Sequence, residues 1–401
     1  SEALHRALGV AAADESIQLA PASDARKLVA MSGGVDSAVA ALLLVESGVE
    51  VIGVTLQLWD DPATDGTASC CSPQAVVQAR ALSHKLGIAH LTLDLRDGFR
   101  AGVVDPYLAA FGDGLTPNPC VGCNGHVRFD ALDRLRQRLG STHLATGHYA
   151  RIVRDADGAL LAAAADDNKD QTYMLAALDA ALIERLEFPL GAIDKPRVRQ
   201  IARDHNLAVA DKPESQDLCF LAGIGRNGFL ERHAKIVKAS GPIVNRRGER
   251  LGTHDGAHLF TVGQRRGLGV AAPEPLYVLD VDMAKNSVLV GVRDELATSK
   301  VTVVGARLLR DASQVTHVKL RYRNAPMTCK IVQPHGPGRH RELEIQLDQP
   351  VDGAAPGQIA CLLRHDAVIG WATIARSRVS EPITSVGHEV QVLQGVGSVS
   401  Q

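Results

Sequence analysis

A short apolar run, Leu28-Val29-Ala30-Met31, leads into Ser32-Gly33-Gly34-Val35-Asp36-Ser37, then into a helix-forming stretch to Ser47 that Gly48 closes. Val49 to Leu58 is a second β-rich run. This β-turn-α-β order limits the fold more than any other feature. Two strands joined through a helix lie parallel, and the glycine turn falls at the carboxyl end of the first strand, where open parallel sheets take their ligands. Gly33 and Gly34 have no Cβ, so an anion can approach the backbone closely. The unpaired amides and the dipole at the start of the next helix favour phosphate as that anion. The turn has neither the Gly-Lys-Ser/Thr of a Walker A loop nor the third glycine of a dinucleotide fingerprint. Two adjacent glycines alone would also serve an ordinary strand-to-helix turn.

The alternation continues. Asp60 to Ser69 is a polar loop, and Cys70-Cys71-Ser72-Pro73 opens a helix, with Ser72 as N-cap and Pro73 at the first position, that ends at Gly87. Ile88 to Leu95 reads as a strand, which gives a doubly wound α/β domain with a parallel sheet. Helices are expected at 101–111, 129–139, 172–178 and 197–206, and a hairpin at 151–165. The two prolines and the glycine of Leu115 to Asn124 argue for an irregular loop. Beyond Phe220 short β-rich runs take over: Gly241–Asn245, His258–Gly263, Tyr277–Asp282 and Ser287–Val292. From Lys300 the alternation is cleaner (Val301–Val304, His317–Tyr322, Thr328–Gln333, Glu342–Leu347, Ile359–Leu363, Val368–Ile374), as in an antiparallel barrel or sandwich. The 401 residues therefore divide into an α/β domain at 1–220, a small central β-rich domain at 221–296 and a β-barrel at 297–401.

Charge gives little: the formal net charge is −2, and an excess of Lys and Arg after residue 230 is too small to argue for nucleic acid. No run approaches the ~18 apolar residues of a membrane span, and residues 1–25 are Ala-rich without a basic-then-apolar signal pattern. Seven cysteines, an odd number, fit a reducing cytoplasm better than a disulfide scaffold. Cys120-Val-Gly-Cys123 has no second pair to complete a zinc site, and it follows Asn-Pro instead of opening a helix after a strand, as a thioredoxin-type motif would. Cys219 alone would be a core thiol, but Ser-Gln-Asp-Leu-Cys-Phe sits at the end of the α/β region. Cys70 and Cys71 read as packing at a helix start, Cys329 and Cys361 as core thiols, and Arg265-Arg266 as either an exposed turn or a phosphate contact.

The glycine turn resembles the loop of the PP-loop ATP pyrophosphatases, which grip the pyrophosphate of ATP and adenylate an oxygen. Six motifs in order extend the resemblance to the bacterial tRNA-specific 2-thiouridylases. They are Ala-Met-Ser-Gly-Gly-Val-Asp-Ser, Thr-Pro-Asn-Pro-Cys-Val-Gly-Cys-Asn, Ala-Thr-Gly-His-Tyr-Ala-Arg, Asn-Lys-Asp-Gln-Thr-Tyr-Met-Leu, Glu-Ser-Gln-Asp-Leu-Cys-Phe and Phe-Thr-Val-Gly-Gln-Arg-Arg-Gly-Leu-Gly, between residue 30 and about 270. The β-rich tail, with Pro356-Gly357-Gln358, fits more weakly.

The resemblance implies ATP-dependent replacement of the C2 oxygen of wobble uridine 34 by sulfur. It sets ATP along Ala30, Met31, Ser32, Gly33, Gly34, Val35, Asp36 and Ser37, with Leu56 and Gly147 on the adenosine and Asp36 holding Mg²⁺. It makes Cys219 the cysteine that carries sulfur as a persulfide and Cys123 its partner. Asn118, Pro119 and Cys120 would meet the target base beside His148, and Lys169, Asp170, Gln171, Arg321, Tyr322 and Gln358 would contact the tRNA. Some members of the family carry Asp, a proposed acid/base, where this chain has Cys120. Cys120, Cys123 and Cys219 together would alternatively ligate a [4Fe–4S] cluster that binds sulfide. A sulfur donor or relay protein, a cytoplasmic location and a monomer complete the expectation. Another PP-loop ligase or amidotransferase, indifferent to the cysteines, is the competing enzyme; a non-catalytic RNA-binding or sulfur-carrier protein is the competing class.

Overall fold

The computed structural model describes residues 26–61, 73–213, 218–234 and 239–376. The first strand, β1 (Arg26–Ala30), is followed by helix α1 (Val35–Glu46), β2 (Glu50–Gln57), α2 (Pro73–Lys85) and β3 (Ala89–Asp94). The next helix, α3, spans 96–112 and carries a π-helical turn at Arg100–Val104. Helix α4 spans 119–138, again with a π-helical turn, at Asn124–Arg128. Then come β4 (His143–Thr146), the hairpin of β5 (Arg151–Asp155) and β6 (Gly158–Ala162), a short helix α5 (Thr172–Leu175), strand β7 (Leu186–Glu187), and helices α6 (Lys195–Asp204) and α7 (Gly225–His233).

The sheet order is β3-β2-β1-β4-β7, and every pairing is parallel. The chain runs outward from β1 through β2 to β3, then returns to the other side of β1 as β4. The order therefore reverses between β1 and β4, at the point where the glycine turn leaves the sheet. Alternate residues of β1 serve different cores. Leu28 joins an aromatic-rich layer with α3 and α4, and Val29 joins the layer under α1, α2 and α6.

A four-stranded sheet follows, built from β8 (Gly241–Val244), β9 (Arg250–His254), β10 (Tyr277–Asp282) and β11 (Ser287–Gly291) in the order β10-β11-β8-β9. The last domain is an antiparallel barrel of β12 (Ala297–Leu308), β13 (His317–Lys319), β14 (Met327–Ile331), β15 (Gly338–Asp352), β16 (Ile359–Arg364) and β17 (Ala367–Ile374). Pairing of β12 with both β15 and β17 closes it. The β5–β6 hairpin of the first domain docks on β17, and Leu160 and Ala162 lie in the barrel's own core. Asp155, on that hairpin, accepts from Arg310 at 3.0 Å and from Arg364 at 2.7 Å. The expected α/β domain and terminal barrel are thus present.

Two local expectations are corrected. Leu115 to Asn124 is not irregular throughout, because Pro119–Cys123 forms the first turn of α4. Asn118 caps that turn and Pro119 stands at its first position, where the missing N–H costs no hydrogen bond, so these residues start a helix instead of breaking one. His258–Gly263 is not a strand. Ala257–Leu259 is a 3-10 turn, His258 and Phe260 are buried, and Arg250–His254 supplies the strand. Cys70, Cys71, Ser72 and the residues from Glu214 to Asp217 lie outside the described residues.

Candidate active site

The glycine turn is held from three sides. Gly33 has φ +69°, and a Cβ there would lie 2.7 Å from the Ala75 carbonyl oxygen. A Cβ on Gly147, just past β4, would lie 2.6 Å from the Ser37 amide nitrogen. The two glycines therefore let the turn pack backbone against backbone on the start of α2 and the end of β4, where any larger residue would collide. Inside the turn the Ser32 amide donates to Ser37 Oγ at 3.1 Å, and Ser37 Oγ donates to the Gly34 carbonyl at 3.1 Å. The Met31 and Val35 side chains are buried, so only their backbone can face a ligand, and the Met31 amide continues the strand by donating to Val54 at 2.8 Å. Leu56 is buried at the carboxyl end of neighbouring β2, and Ala30 ends β1 itself.

Three side chains missed in the sequence complete this corner. Lys195, 7% exposed, donates to Asp36 Oδ1 at 2.6 Å and Oδ2 at 2.8 Å. The Tyr149 hydroxyl donates to Asp36 Oδ1 at 2.9 Å. Lys212 Nζ donates to the Gly33 carbonyl at 3.0 Å. The sequence signal for Lys195 was the Asp194-Lys195-Pro196 helix start, with Asp194 accepting from the Arg197 amide at 2.9 Å. These residues fit a nucleotide triphosphate: a backbone cradle, the start of a 12-residue helix, two ammonium groups and a carboxylate able to take a hard cation.

The thiols lie along the aromatic-rich layer. Asn118 Oδ1 accepts from the Cys120 amide at 3.1 Å, and Cys123 follows one turn later, buried. Asn124 Nδ2 donates to the Met174 carbonyl at 2.9 Å, which fixes α4 against α5. Cys219 is half-buried against the same apolar cluster that contains Cys123. Its neighbour Phe220 is 1% exposed and packs edge-on to Tyr107, with ring centroids 5.2 Å apart. Burial pushes the Tyr107 hydroxyl up to about 12, Arg226 opposes that shift, and the Cys120 thiol adds to it. Tyr107 therefore packs on the Cys219 segment through Phe220. Among the described residues no three His, Cys, Asp or Glu side chains form a metal-ligand set. His148 lies within 2.8 Å of Thr146 Oγ1, and burial, with Arg128 nearby, pushes it down to about 3. Its imidazole is neutral at pH 7.

The residues expected at the tRNA are joined to the barrel interface. Asp170 accepts from Thr172 Oγ1 at 2.8 Å and from the barrel's Lys319 at 3.3 Å. Gln171 Oε1 accepts from the Tyr149 amide at 2.9 Å, and Gln358 Nε2 donates to the Thr116 carbonyl just before the Cys120 turn. Tyr322 lies 6.2 Å from the Tyr173 ring, and Lys319 Nζ lies 6.0 Å from the Tyr322 ring centroid. Arg321 donates to the Gly353 carbonyl at 3.5 Å, and Lys169 and Pro119 are each half-buried.

Family models match the chain in three consecutive pieces. A tRNA methyl transferase HUP domain covers residues 25–223, a tRNA methyl transferase PRC-barrel domain 227–292 and an aminomethyltransferase beta-barrel domain 293–374. The tRNA-specific 2-thiouridylase MnmA of Syntrophotalea carbinolica is 43% identical over 352 residues, 87% of this chain and 98% of that protein. The chain belongs to the tRNA-specific 2-thiouridylase family. The bifunctional protein NifU/MnmA of Rubrobacter xylanophilus is 45% identical over 351 residues, 87% of this chain and 70% of that one. The 2-thiouridylase of Acidithiobacillus ferrooxidans is 41% identical over 357 residues, 88% of this chain and 99% of its own length. Across the first domain of this 2-thiouridylase family member, the glycine cradle and the Cys120 and Cys219 segments are parts of one parallel-sheet unit.

Proposed function

We propose that the protein is an ATP-dependent tRNA-uridine 2-sulfurtransferase acting on wobble uridine 34. ATP binds with its phosphates along Ser32–Ser37 and its adenosine against Leu56 and Gly147, with Mg²⁺ supplying charge neutralisation near Asp36. The C2 oxygen of the flipped uracil attacks the α-phosphorus, the bond to pyrophosphate breaks, and the oxygen becomes part of an AMP leaving group. The terminal sulfur of a Cys219 persulfide attacks C2. The Cys123 thiolate attacks the Cys219 sulfur and breaks the persulfide S–S bond, and the C2–O bond breaks to release AMP. The chain is left with a Cys123–Cys219 disulfide, which a thiol reductant reopens.

The observation that carries this reading is that Cys123 and Cys219 pack on one apolar cluster of the parallel-sheet domain that also carries the glycine turn, in a chain 43% identical to a 2-thiouridylase. Asn118, Pro119, Cys120 and His148 face the base in this scheme. His148, neutral at pH 7, offers a hydrogen bond and no charge. Lys169, Asp170, Gln171, Arg321, Tyr322 and Gln358 steady the anticodon at the barrel interface. A sulfur carrier loads Cys219, and the chain works as a cytoplasmic monomer.

The test is nucleoside mass spectrometry on unmodified tRNA incubated with the protein, ATP, Mg²⁺, a low-molecular-weight persulfide as sulfur donor and a thiol reductant under nitrogen, with and without reconstituted iron. The expected result is 2-thiouridine at the wobble position, with one AMP and one pyrophosphate per sulfur and no need for iron. A tRNA that is bound with ATP but gains no sulfur would reject the reading in favour of another PP-loop chemistry.

A further inference from the structure

Cys219 lies in a turn that runs without a break into α7. The Leu221 amide donates to the Leu218 carbonyl at 2.8 Å, and the Leu221 carbonyl accepts from the amide of Gly225, the first residue of α7, at 2.9 Å. Where α7 sits therefore decides where Cys219 sits. The helix is poorly suited to hold itself, because it has nine residues and two of them are glycines. Its last residue fastens it. His233 Nε2 donates to Asp61 Oδ2 at 2.9 Å, with the His233 side chain 15% and the Asp61 side chain 5% exposed. Arg232 Nη2 lies 3.4 Å from the other carboxylate oxygen. The His233 ring packs on Phe229, with centroids 4.5 Å apart, and edge-on to Trp59 at 5.8 Å. Phe220, the residue after Cys219, meets the same two rings at 5.0 and 6.4 Å.

Ring packing tolerates sliding, whereas a hydrogen bond to a buried carboxylate is directional and costly to break. A buried carboxylate is itself unfavourable unless partners compensate it, so a purely apolar contact would pack α7 more simply. Asp61 stands just past the carboxyl end of β2, the strand whose Leu56 meets the adenosine in the proposed reading. One strand end thus holds the nucleotide through Leu56 and, through Asp61, the helix joined to Cys219. We infer that His233 and Asp61 are positioning residues for Cys219: their hydrogen bond sets the reach of the Cys219 persulfide sulfur to C2 of the adenylated uracil. The inference rests on the reading of Cys219 as the sulfur carrier and adds two residues to it.

The test is a single turnover of the full chain with ATP, Mg²⁺ and unmodified tRNA, after Cys219 is loaded from a low-molecular-weight persulfide and its occupancy is measured by mass spectrometry. Pyrophosphate release and 2-thiouridine formation are timed separately for the parent, His233→Phe and Asp61→Asn. Phenylalanine keeps a ring against Phe229 and Trp59 but loses the bond to Asp61, whereas asparagine keeps an oxygen that accepts it. A misplacement of about 1 Å costs roughly 100-fold in a positioned reaction. His233→Phe should slow 2-thiouridine formation by roughly 10- to 100-fold and leave pyrophosphate release within about twofold, while Asp61→Asn stays within about fivefold of the parent in both. His233→Leu, read in the same way, replaces the Phe variant if that one does not fold. Parental sulfur transfer in His233→Phe overturns the inference. So does a parallel fall in both steps, which is what a general loss of packing would give. A parent protein that releases pyrophosphate but forms no 2-thiouridine would remove the persulfide reading of Cys219 itself, a result distinct from either.

Discussion

Lys195 Nζ reaches both carboxylate oxygens of Asp36 across 159 residues of sequence. The pair joins the starts of α1 and α6, and Tyr149 brings the loop between β4 and β5 to the same carboxylate. The Lys195 side chain is buried while Asp36 is partly exposed, so removing the carboxylate leaves an ammonium buried without its ion partner, a larger loss than removing both. Asp36→Ala should lower stability by roughly 2–5 kcal/mol, and adding Lys195→Met should recover part of that loss. Urea unfolding of the two single variants and the double variant measures the coupling. Strictly additive losses would show that the pair does not act as a unit.

Gly147 tests the cradle with one methyl group. Its Cβ would meet backbone atoms of Asp36 and Ser37, at 2.7 Å from the Asp36 carbonyl carbon and 2.6 Å from the Ser37 nitrogen, and no flexible side chain can yield. Gly147→Ala should cost about 1–3 kcal/mol through overpacking and weaken ATP by about tenfold. Thermal melting with and without ATP reports both effects. A variant with parental ATP affinity would place the nucleotide elsewhere.

The hairpin contact carries a pH signature. Hydrogen bonds from Arg310 and Arg364 hold the Asp155 carboxyl well below the usual carboxylate range. The stability it contributes is present in full above the unfolded value of about 3.9 and is lost as pH falls toward the folded one. Urea midpoints of the parent and Asp155→Asn should therefore differ at pH 6 and converge as the pH drops below about 4. A gap that does not change with pH would mean that the arginines contribute through packing alone.

The five described thiols divide by environment. Burial pushes Cys329 and Cys361 up to about 12, so both are protonated at pH 8 and shielded from reagents. Cys120 and Cys219 are half-exposed. Brief alkylation of the native protein at pH 8, followed by peptide mapping, should label Cys120 and Cys219 well before the two barrel cysteines. Equal labelling would show that the barrel core opens readily.

The sheet, the glycine turn and the barrel were legible because each depends on local periodicity and on turn residues whose meaning is short-range. The α4 start was misread for a physical reason. Prolines were weighed as breakers, although Asn118-Pro119 is also a cap followed by a proline at the first helical position. The central domain was misread because Leu259, Phe260, Thr261 and Val262 make a short β-prone run, while His258 and Phe260 are buried at a 3-10 turn. Lys195, Tyr149 and Lys212 could not be chosen from sequence. Their value lies in contacts with Asp36 and Gly33 that only the completed fold creates. Conversely, Asp170 and Gln358, expected at the tRNA, also have structural partners in Lys319 and Thr116 that link the barrel to the Cys120 turn.

The most direct measurement concerns the sulfur on Cys219. The protein is loaded with an isotope-labelled persulfide, mixed with ATP, Mg²⁺ and unmodified tRNA in a single turnover, and both products are examined by mass spectrometry. The account predicts labelled 2-thiouridine at the wobble position together with a Cys123–Cys219 disulfide, with neither formed by Cys219→Ser and both retained by Cys120→Ser. Labelled 2-thiouridine made by Cys219→Ser at the parental rate would contradict it.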